Sequence, residues 1–276
     1  IGIDLMADVL KSFIKELPND DPFHQVGQEL PLIKKMIGDG YTGRKGKGGF
    51  FRIKKENNQK ILESLDYKTH SYHESKIIDL VLPDLMDINH LLNRDDIYGK
   101  YAWNIIKKTI LYASALVPNV TDNFNDIDDA MRCGFNWQKG PFEILHEIGL
   151  SEFLKRLEPS DKVATFLREL ENKQVNLFST DNNKLNYYNV NKGFLPMNRP
   201  QGIISLTDKK KISKPLYSND SISLWEFNEY SHFICVEFHT KANALDQNSV
   251  EGLMQAHDLC DKNYDGIVIA NDGMQF

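Results

Sequence analysis

The stretch Asp126-Ile-Asp-Asp-Ala-Met-Arg-Cys-Gly-Phe-Asn-Trp-Gln-Lys-Gly-Pro-Phe-Glu-Ile-Leu-His-Glu-Ile-Gly-Leu150 reads as helix, sharp turn, helix. Ile127, Ala130 and Met131 fall at i, i+3 and i+4, one apolar face of a short helix. Asn125 or Asp126 can cap its start, because a short polar side chain accepts from the free amides of a first turn. Gly134 sits where a left-handed residue would end it. Gly140-Pro141 restarts the chain, since proline suits a first turn that needs no backbone donor. Phe142, Leu145 and Ile148 form the next apolar face, and Gly149 closes it.

Just upstream, Tyr98 to Val117 is the longest helical pattern. Ala102, Ile105, Ile106, Thr109, Ala113 and Leu116 make a wide apolar stripe, and Pro118 ends it. A further helix is expected over Lys162 to Leu170, with Val163, Phe166 and Leu167 inside. The chain opens with an echo of the motif's tail. Ile1-Gly-Ile-Asp-Leu-Met-Ala-Asp-Val-Leu10 lines up with Ile148-Gly-Leu-Ser-Glu-Phe-Leu-Lys-Arg-Leu157. An internal repeat changes the reading of a whole chain. With half a first copy and no initial Met, the sequence is expected to begin inside a domain. Asp4 to Leu17 is predicted helical, with Asp4 at the cap and Leu5, Val9, Phe13 and Leu17 every fourth residue. A second helix carries Leu30, Ile33, Met36 and Ile37.

Gly40 to Ile53 holds Arg44, Lys45, Lys47 and Arg52 and no acid. It reads as a phosphate-facing loop or as a solvated turn between a helix and a short strand, Phe50 to Ile53. It is not a P-loop, because no Gly-Lys-Ser/Thr follows and no strand precedes it, which favours the turn. Residues 55 to 75 are polar. His70 and His73 lack partners at ligand spacing and read as surface residues.

Asp181-Asn-Asn-Lys184 has hairpin chemistry leading into Leu185 to Val190. Residues 191 to 219, with Pro196, Pro200, Pro215 and Lys209-Lys-Lys211, read as a connector with one short strand, Gly202 to Leu206. The period then shifts. Ser221 to Phe227 and Phe233 to Phe238 alternate as strands, Val250 to Cys260 is helical, and Gly266-Ile-Val-Ile is a buried strand. That order opens an α/β unit.

Composition narrows the classes. The 276 residues carry a net charge of -6, which gives no general attraction to nucleic acid or membrane, though local basic patches remain open. The three cysteines are widely spaced and form neither a disulfide framework nor a metal site. They suit a reducing compartment, so the cytoplasm is expected. No apolar run approaches the roughly 20 residues of a membrane span.

The Asp-Ile-Asp-Asp-Ala-Met-Arg-x-Gly-Phe-x-Trp-x-x-Gly-Pro-Phe-Glu stretch resembles the C-terminal domain of 3-hydroxyacyl-CoA dehydrogenases. Ile1-Gly-Ile-Asp4 is similar to the tail of that motif in a preceding copy. Gly43-Arg-Lys-Gly-Lys-Gly-Gly-Phe50 resembles a signature of the same domain, with Gly46 near the usual Thr. Val236 to Asp246 and Gly266 to Gly273 are similar to the start of the enoyl-CoA hydratase (crotonase) fold.

The resemblance implies a mainly α chain. Residues 1–94 would be a truncated first dehydrogenase C-domain repeat and 95–190 a second, both all-helical. Residues 191–219 would be a linker, and 220–276 the opening α/β part of a crotonase-like domain. It implies a multifunctional enzyme of fatty-acid β-oxidation, with NAD-dependent dehydrogenase and hydratase or isomerase activities. The dehydrogenase's NAD-binding Rossmann domain with its His–Glu pair, and the hydratase glutamates, would lie outside these residues. No catalytic, NAD-binding or metal residue is therefore expected here, and the segment alone is expected to be inactive. Lys241 could face a CoA phosphate, and Ala242 and Ala244 could offer backbone groups to the adenine. The alternatives are a helical module that pairs two copies of the chain, and a different small-molecule binder on a borrowed fold.

Overall fold

A computed structural model describes residues 2–56, 59–76, 88–181, 184–197, 199, 202–227, 232–240 and 243–271. The chain divides into two compact units, Ile1–Thr121 with Ile127–Arg168, and Asp122–Asp126 with Glu169–Phe276.

The first unit begins with α1 (Ile3–Glu16) and α2 (Pro31–Gly38). Ile3, Ile33 and Met36 are buried between them, with Tyr41 and Leu65 packed alongside. No side chain caps α1; Gly2 stands at its N-cap, not Asp4. Strands β1 (Phe51–Glu56), β2 (Gln59–Leu65) and β3 (Tyr72–Glu74) follow as an antiparallel sheet in that order. Arg52 stands opposite Glu63, Ile53 opposite Leu62, and Leu65 opposite Tyr72. Alternation therefore puts Arg52, Glu63, Leu65 and Tyr72 on the face that meets the α1–α2 cluster. There Arg52 donates to buried Glu63 at 2.6 Å, and its guanidinium lies 4.0 Å from the Tyr72 ring centroid.

The helical part of this unit comprises α3 (Ile88–Leu92), α4 (Ile97–Ala115), α5 (Phe124–Phe135), α6 (Pro141–Ile148), α7 (Leu150–Lys155) and the start of α8 (Thr165–Lys173). Leu92, Ile110, Phe142, Leu145, Phe153 and Phe166 are buried. Phe142 meets Phe166 edge-on at 5.8 Å, and Trp103 meets Phe153 at 5.6 Å. The inward face of α4 differs from the expected stripe. Gly99, Lys107, Ile110, Ala113 and Ser114 are buried, whereas Ile105 is exposed. Lys107 tolerates burial because its ammonium donates to Asp161 at 2.9 Å.

In the second unit, β4 (Phe178–Asp181), β5 (Lys184–Asn189) and β6 (Gly193–Pro196) form an antiparallel sheet. Asp181 pairs with Lys184, as a two-residue hairpin connection requires; the connecting pair lies outside the described residues. Next come α9 (Leu206–Ile212), β7 (Tyr217–Ser218), β8 (Ile222–Phe227), β9 (Phe233–Phe238), α10 (Gln247–Asn263) and β10 (Gly266–Ile269). The strand order is β10-β9-β8-β7, with β10 parallel to β9 across the α10 crossover. Both faces of β8 and β9 are covered. Ile222, Leu224, Ile234 and Val236 pack with Ala256 of α10, and Trp225, Phe227 and Cys235 pack with Leu206 of α9.

Two expectations fail here. The chain is not mainly α, and its first 190 residues are not all-helical. Among the described residues 45% are helical and 20% strand, with three sheets. The polar tract after Ile53 forms β2 and β3, whose half-exposed alternation leaves a weak hydrophobic signal. The short strand at 202–206 is also absent: α9 starts at Leu206. The run Lys209-Lys-Lys211 is absorbed within the unit. Lys209 lies over Phe227 and Lys211 over Phe178, at 5.1 and 4.6 Å, while Lys210 pairs with buried Glu237.

Gly134 does not end α5; the helix runs on to Phe135, and Asn136 takes the left-handed conformation at φ 56°. Nothing lies within 4 Å of a Cβ added at Gly134. Gly134→Ala is therefore expected to raise the urea unfolding free energy by about 0.5–1 kcal/mol. At Gly252 a Cβ would stand 2.1 Å from Ile222 Cγ2, so Gly252→Ala should lower it by about 1–3 kcal/mol.

Candidate functional site

The helix–turn–helix motif is held by one buried carboxylate. Asp128, on α5, accepts from the amides of Phe142 at 2.8 Å and Glu143 at 3.1 Å, the free donors of the first turn of α6. Glu143 reaches back to the Gly140 amide at 3.0 Å. Arg132 pairs with both Glu143 and Asp129. Gly140 is required because a Cβ there would lie 2.3 Å from the Asp128 carboxyl. Asn123, one residue before α5, accepts from the Asn125 amide, so neither Asn125 nor Asp126 is the cap. Gly149 closes α6 with a positive φ of 86°. The motif's polar residues are thus spent on joining two helices.

Burial pushes the Asp128 carboxyl up from 3.8 to about 7, against the pull of the two amides and of Arg132; the neighbouring Glu143 adds to the rise.

The loop Gly40 to Phe50 ends α2 and leads into β1. Gly43 and Gly48 bridge, with the Gly43 amide donating to the Gly48 carbonyl at 2.7 Å. Lys47 donates to the Asp39 carbonyl and Arg52 to Glu63. Gly38-Asp-Gly-Tyr-Thr-Gly43 has the spacing of a dinucleotide-binding turn. It leaves a helix and enters a bridge, so it has no helix N-terminus on which a pyrophosphate could rest. This turn therefore lacks the strand-to-helix geometry that such a motif uses for a pyrophosphate.

The expected acyl-CoA cradle lies between β9 and α10, at the carboxyl end of a strand with a parallel neighbour, where α/β sheets bind ligands. Lys241 and Ala242 lie outside the described residues. Ala244 is exposed, and its carbonyl accepts from the Thr240 hydroxyl at 2.6 Å, while Asn243 adopts φ 53°. Asp246 caps α10, accepting from the Ser249 amide at 2.7 Å and the Ser221 hydroxyl at 2.6 Å. The Ser221 bond, followed by those from Ser249, holds its carboxyl below the ordinary value. The helix N-terminus already carries a carboxylate, so an anion here would have to bind the loop instead. The Phe238 amide donates to the Asn271 side chain at 2.8 Å, which ties the exits of β9 and β10 together.

Sequence reasoning missed Glu237, a buried carboxylate at the end of β9. It accepts from the Trp225 indole at 3.0 Å, pairs with Lys210 and lies 3.6 Å from His239. Strand alternation alone could have placed it inward, on the face of Trp225. Among the described residues no group of three His, Cys, Asp or Glu side chains could hold a metal, and no helix is long and apolar enough to cross a membrane.

The chain is similar in sequence to known proteins. It is 31% identical over 277 residues to a protein named "Putative fatty acid oxidation complex trifunctional enzyme" from Rickettsia felis, covering 100% of this chain and 35% of that one. A protein of the same name from Rickettsia prowazekii is 32% identical over 260 residues, 93% of this chain and 32% of its own length. A "Probable 3-hydroxyacyl-CoA dehydrogenase" from Bacillus subtilis is 27% identical over 285 residues, 100% of this chain and 35% of its own length. The chain thus spans about a third of the length of these curated relatives. No protein-family model matches it, and no solved structure matches it. Fatty-acid oxidation and 3-hydroxyacyl-CoA dehydrogenation are the functions named among its homologues.

Asp128 generates a pH test. Its proton is bound more tightly in the folded chain, so its stabilising contribution is complete below about pH 4 and is lost as pH rises through about 7. Urea midpoints at about pH 5 and about pH 8 should fall further for the wild type than for Asp128→Asn. Equal slopes would assign the pH dependence elsewhere.

Proposed function

We propose that this chain is part of a multifunctional fatty-acid β-oxidation enzyme. That enzyme would combine NAD-dependent 3-hydroxyacyl-CoA dehydrogenase with enoyl-CoA hydratase or isomerase activity. The observation that carries this reading is the end-to-end similarity to trifunctional-enzyme relatives. The α5–α6 motif supports it, since its Asp128, Arg132, Gly140, Phe142 and Glu143 meet in one helix junction. In this reading residues 1–94 and 95–190 are two repeats of dehydrogenase C-domain material, 191–219 connect, and 220–276 begin a hydratase-type domain.

The chain's own part is support and substrate contact. Asp128, Arg132 and Glu143 fix the angle between α5 and α6. Lys241, Ala242 and Ala244 would meet the CoA moiety at the β9–α10 loop, Lys241 through a phosphate. NAD would be held by other residues of the enzyme. The reaction runs in a reducing, cytoplasmic setting.

The second reading is a module that pairs two copies through its helices. It is favoured by the outer face of α1, where Leu5, Val9 and Phe13 stay exposed at 57%, 44% and 47%.

The test compares two preparations. The full-length polypeptide that contains this chain should form NADH from NAD and 3-hydroxybutyryl-CoA and should hydrate crotonyl-CoA, whereas the chain by itself should do neither. NADH formation by the chain by itself would sink the division of labour proposed here. Absence of both activities in the full-length polypeptide would sink the function and leave the pairing module.

A further inference from the structure

We propose that the outward face of the β1–β2 hairpin is a docking surface for an anionic phospholipid bilayer. The sequence around it is locally basic. Arg44, Lys45, Lys47, Arg52, Lys54, Lys55 and Lys60 face a single acid, Glu56, between residues 40 and 62 of a chain whose net charge is -6. The structure sorts these cations. Lys47 is taken by the Asp39 carbonyl, Arg52 by Glu63 and Lys54 by Glu56. Arg44, Lys45, Lys55 and Lys60 are exposed, and their side chains make no hydrogen bond or ion pair among the described residues.

Register then joins charge to apolar surface. Ile53 stands opposite Leu62 and Phe51 opposite Ser64, so Phe51, Ile53 and Leu62 share one face, exposed at 63%, 63% and 50%. Lys55 and Lys60 oppose each other on that same face, nearer the hairpin's turn. Like charges directly opposed in a ladder repel, and an anion between them relieves the cost. The hairpin's other face is committed to the α1–α2 cluster through Leu65, so this one is left outward. Along the strand the lysine pair lies about 7 Å from Ile53 and Leu62. A face laid flat on a bilayer sinks its apolar residues about 5–10 Å into the headgroup–acyl boundary, and long lysine side chains on the same face reach back to the phosphates. A bilayer with anionic lipids offers both chemistries within one interface. Outside residues 40–62 the sequence is net acidic, which weakens any general attraction of its other residues to an anionic surface.

The test is co-sedimentation of the full chain with phosphatidylcholine vesicles, with and without phosphatidylglycerol. Binding is expected only to the anionic vesicles and should weaken with salt. Lys55→Gln with Lys60→Gln should weaken it about 25-fold, about five-fold for each cation removed. Phe51→Ser with Ile53→Ser should weaken it while far-ultraviolet circular dichroism stays unchanged. Lys184→Gln with Lys192→Gln, in the other compact unit, should leave it unaltered. No binding to anionic vesicles, equal binding to neutral ones, or full binding by the double lysine variant would overturn the proposal. So would retention of the chain by RNA or an acidic protein without vesicle binding.

Discussion

The bond on which the helical architecture turns is the one between the Asp128 carboxylate and the amides of Phe142 and Glu143. A helix start leaves its first amides unpaired, and a buried start needs partners for them. α6 is buried along Pro141 to Leu145, so water cannot serve. Asp128 reaches across from α5 and takes two of them, and Gly140 leaves the room for it. Arg132 then balances the charge by holding Glu143 and Asp129. The angle between the two helices follows, and with it the placing of Phe142 against Phe166.

The same economy recurs with cations. Lys107 is buried at Asp161, and the buried carboxylates Glu237 and Glu63 are met by the more exposed Lys210 and Arg52. Each pair ties one element to another, and each lies in a stretch that by composition alone looks solvated. A buried ion pair is weak evidence of stability but strong evidence of arrangement, because removing one partner strands the other. The chain's charges therefore divide into those that organise its two units and those left for solvent or ligands. The β1–β2 hairpin carries the clearest group of the second kind.

Some of the fold was legible beforehand. β8, β9 and α10 lie close to where the alternation and periodicity put them, as do α2 and α6. Asp246 sits at the start of α10, where a strand-to-helix loop calls for a cap. The misses have separate causes. β2 and β3 are half-exposed strands with polar residues on both sides, so their period is hidden. Gly134 looked like a helix end because glycine often is one, yet Asn136 performs the left-handed turn. The α4 stripe was rotated because its buried face contains a lysine, which periodicity counts as outward. At the candidate CoA loop, only residue types could be read; that the Ala244 carbonyl is already bonded to Thr240 required coordinates.

The sequence by itself determined the local elements and the helix–turn–helix signature, because those rest on contacts within a few turns or one strand pair. It also carried the likeness to fatty-acid oxidation proteins, and relatives so named align with 93–100% of the chain. Only the tertiary structure decided that three sheets accompany the helices, which polar side chains go inside, and which cations stay free. The physical reason is that a charged residue's fate depends on whether an opposite charge reaches it across the fold. Neither composition nor spacing records that.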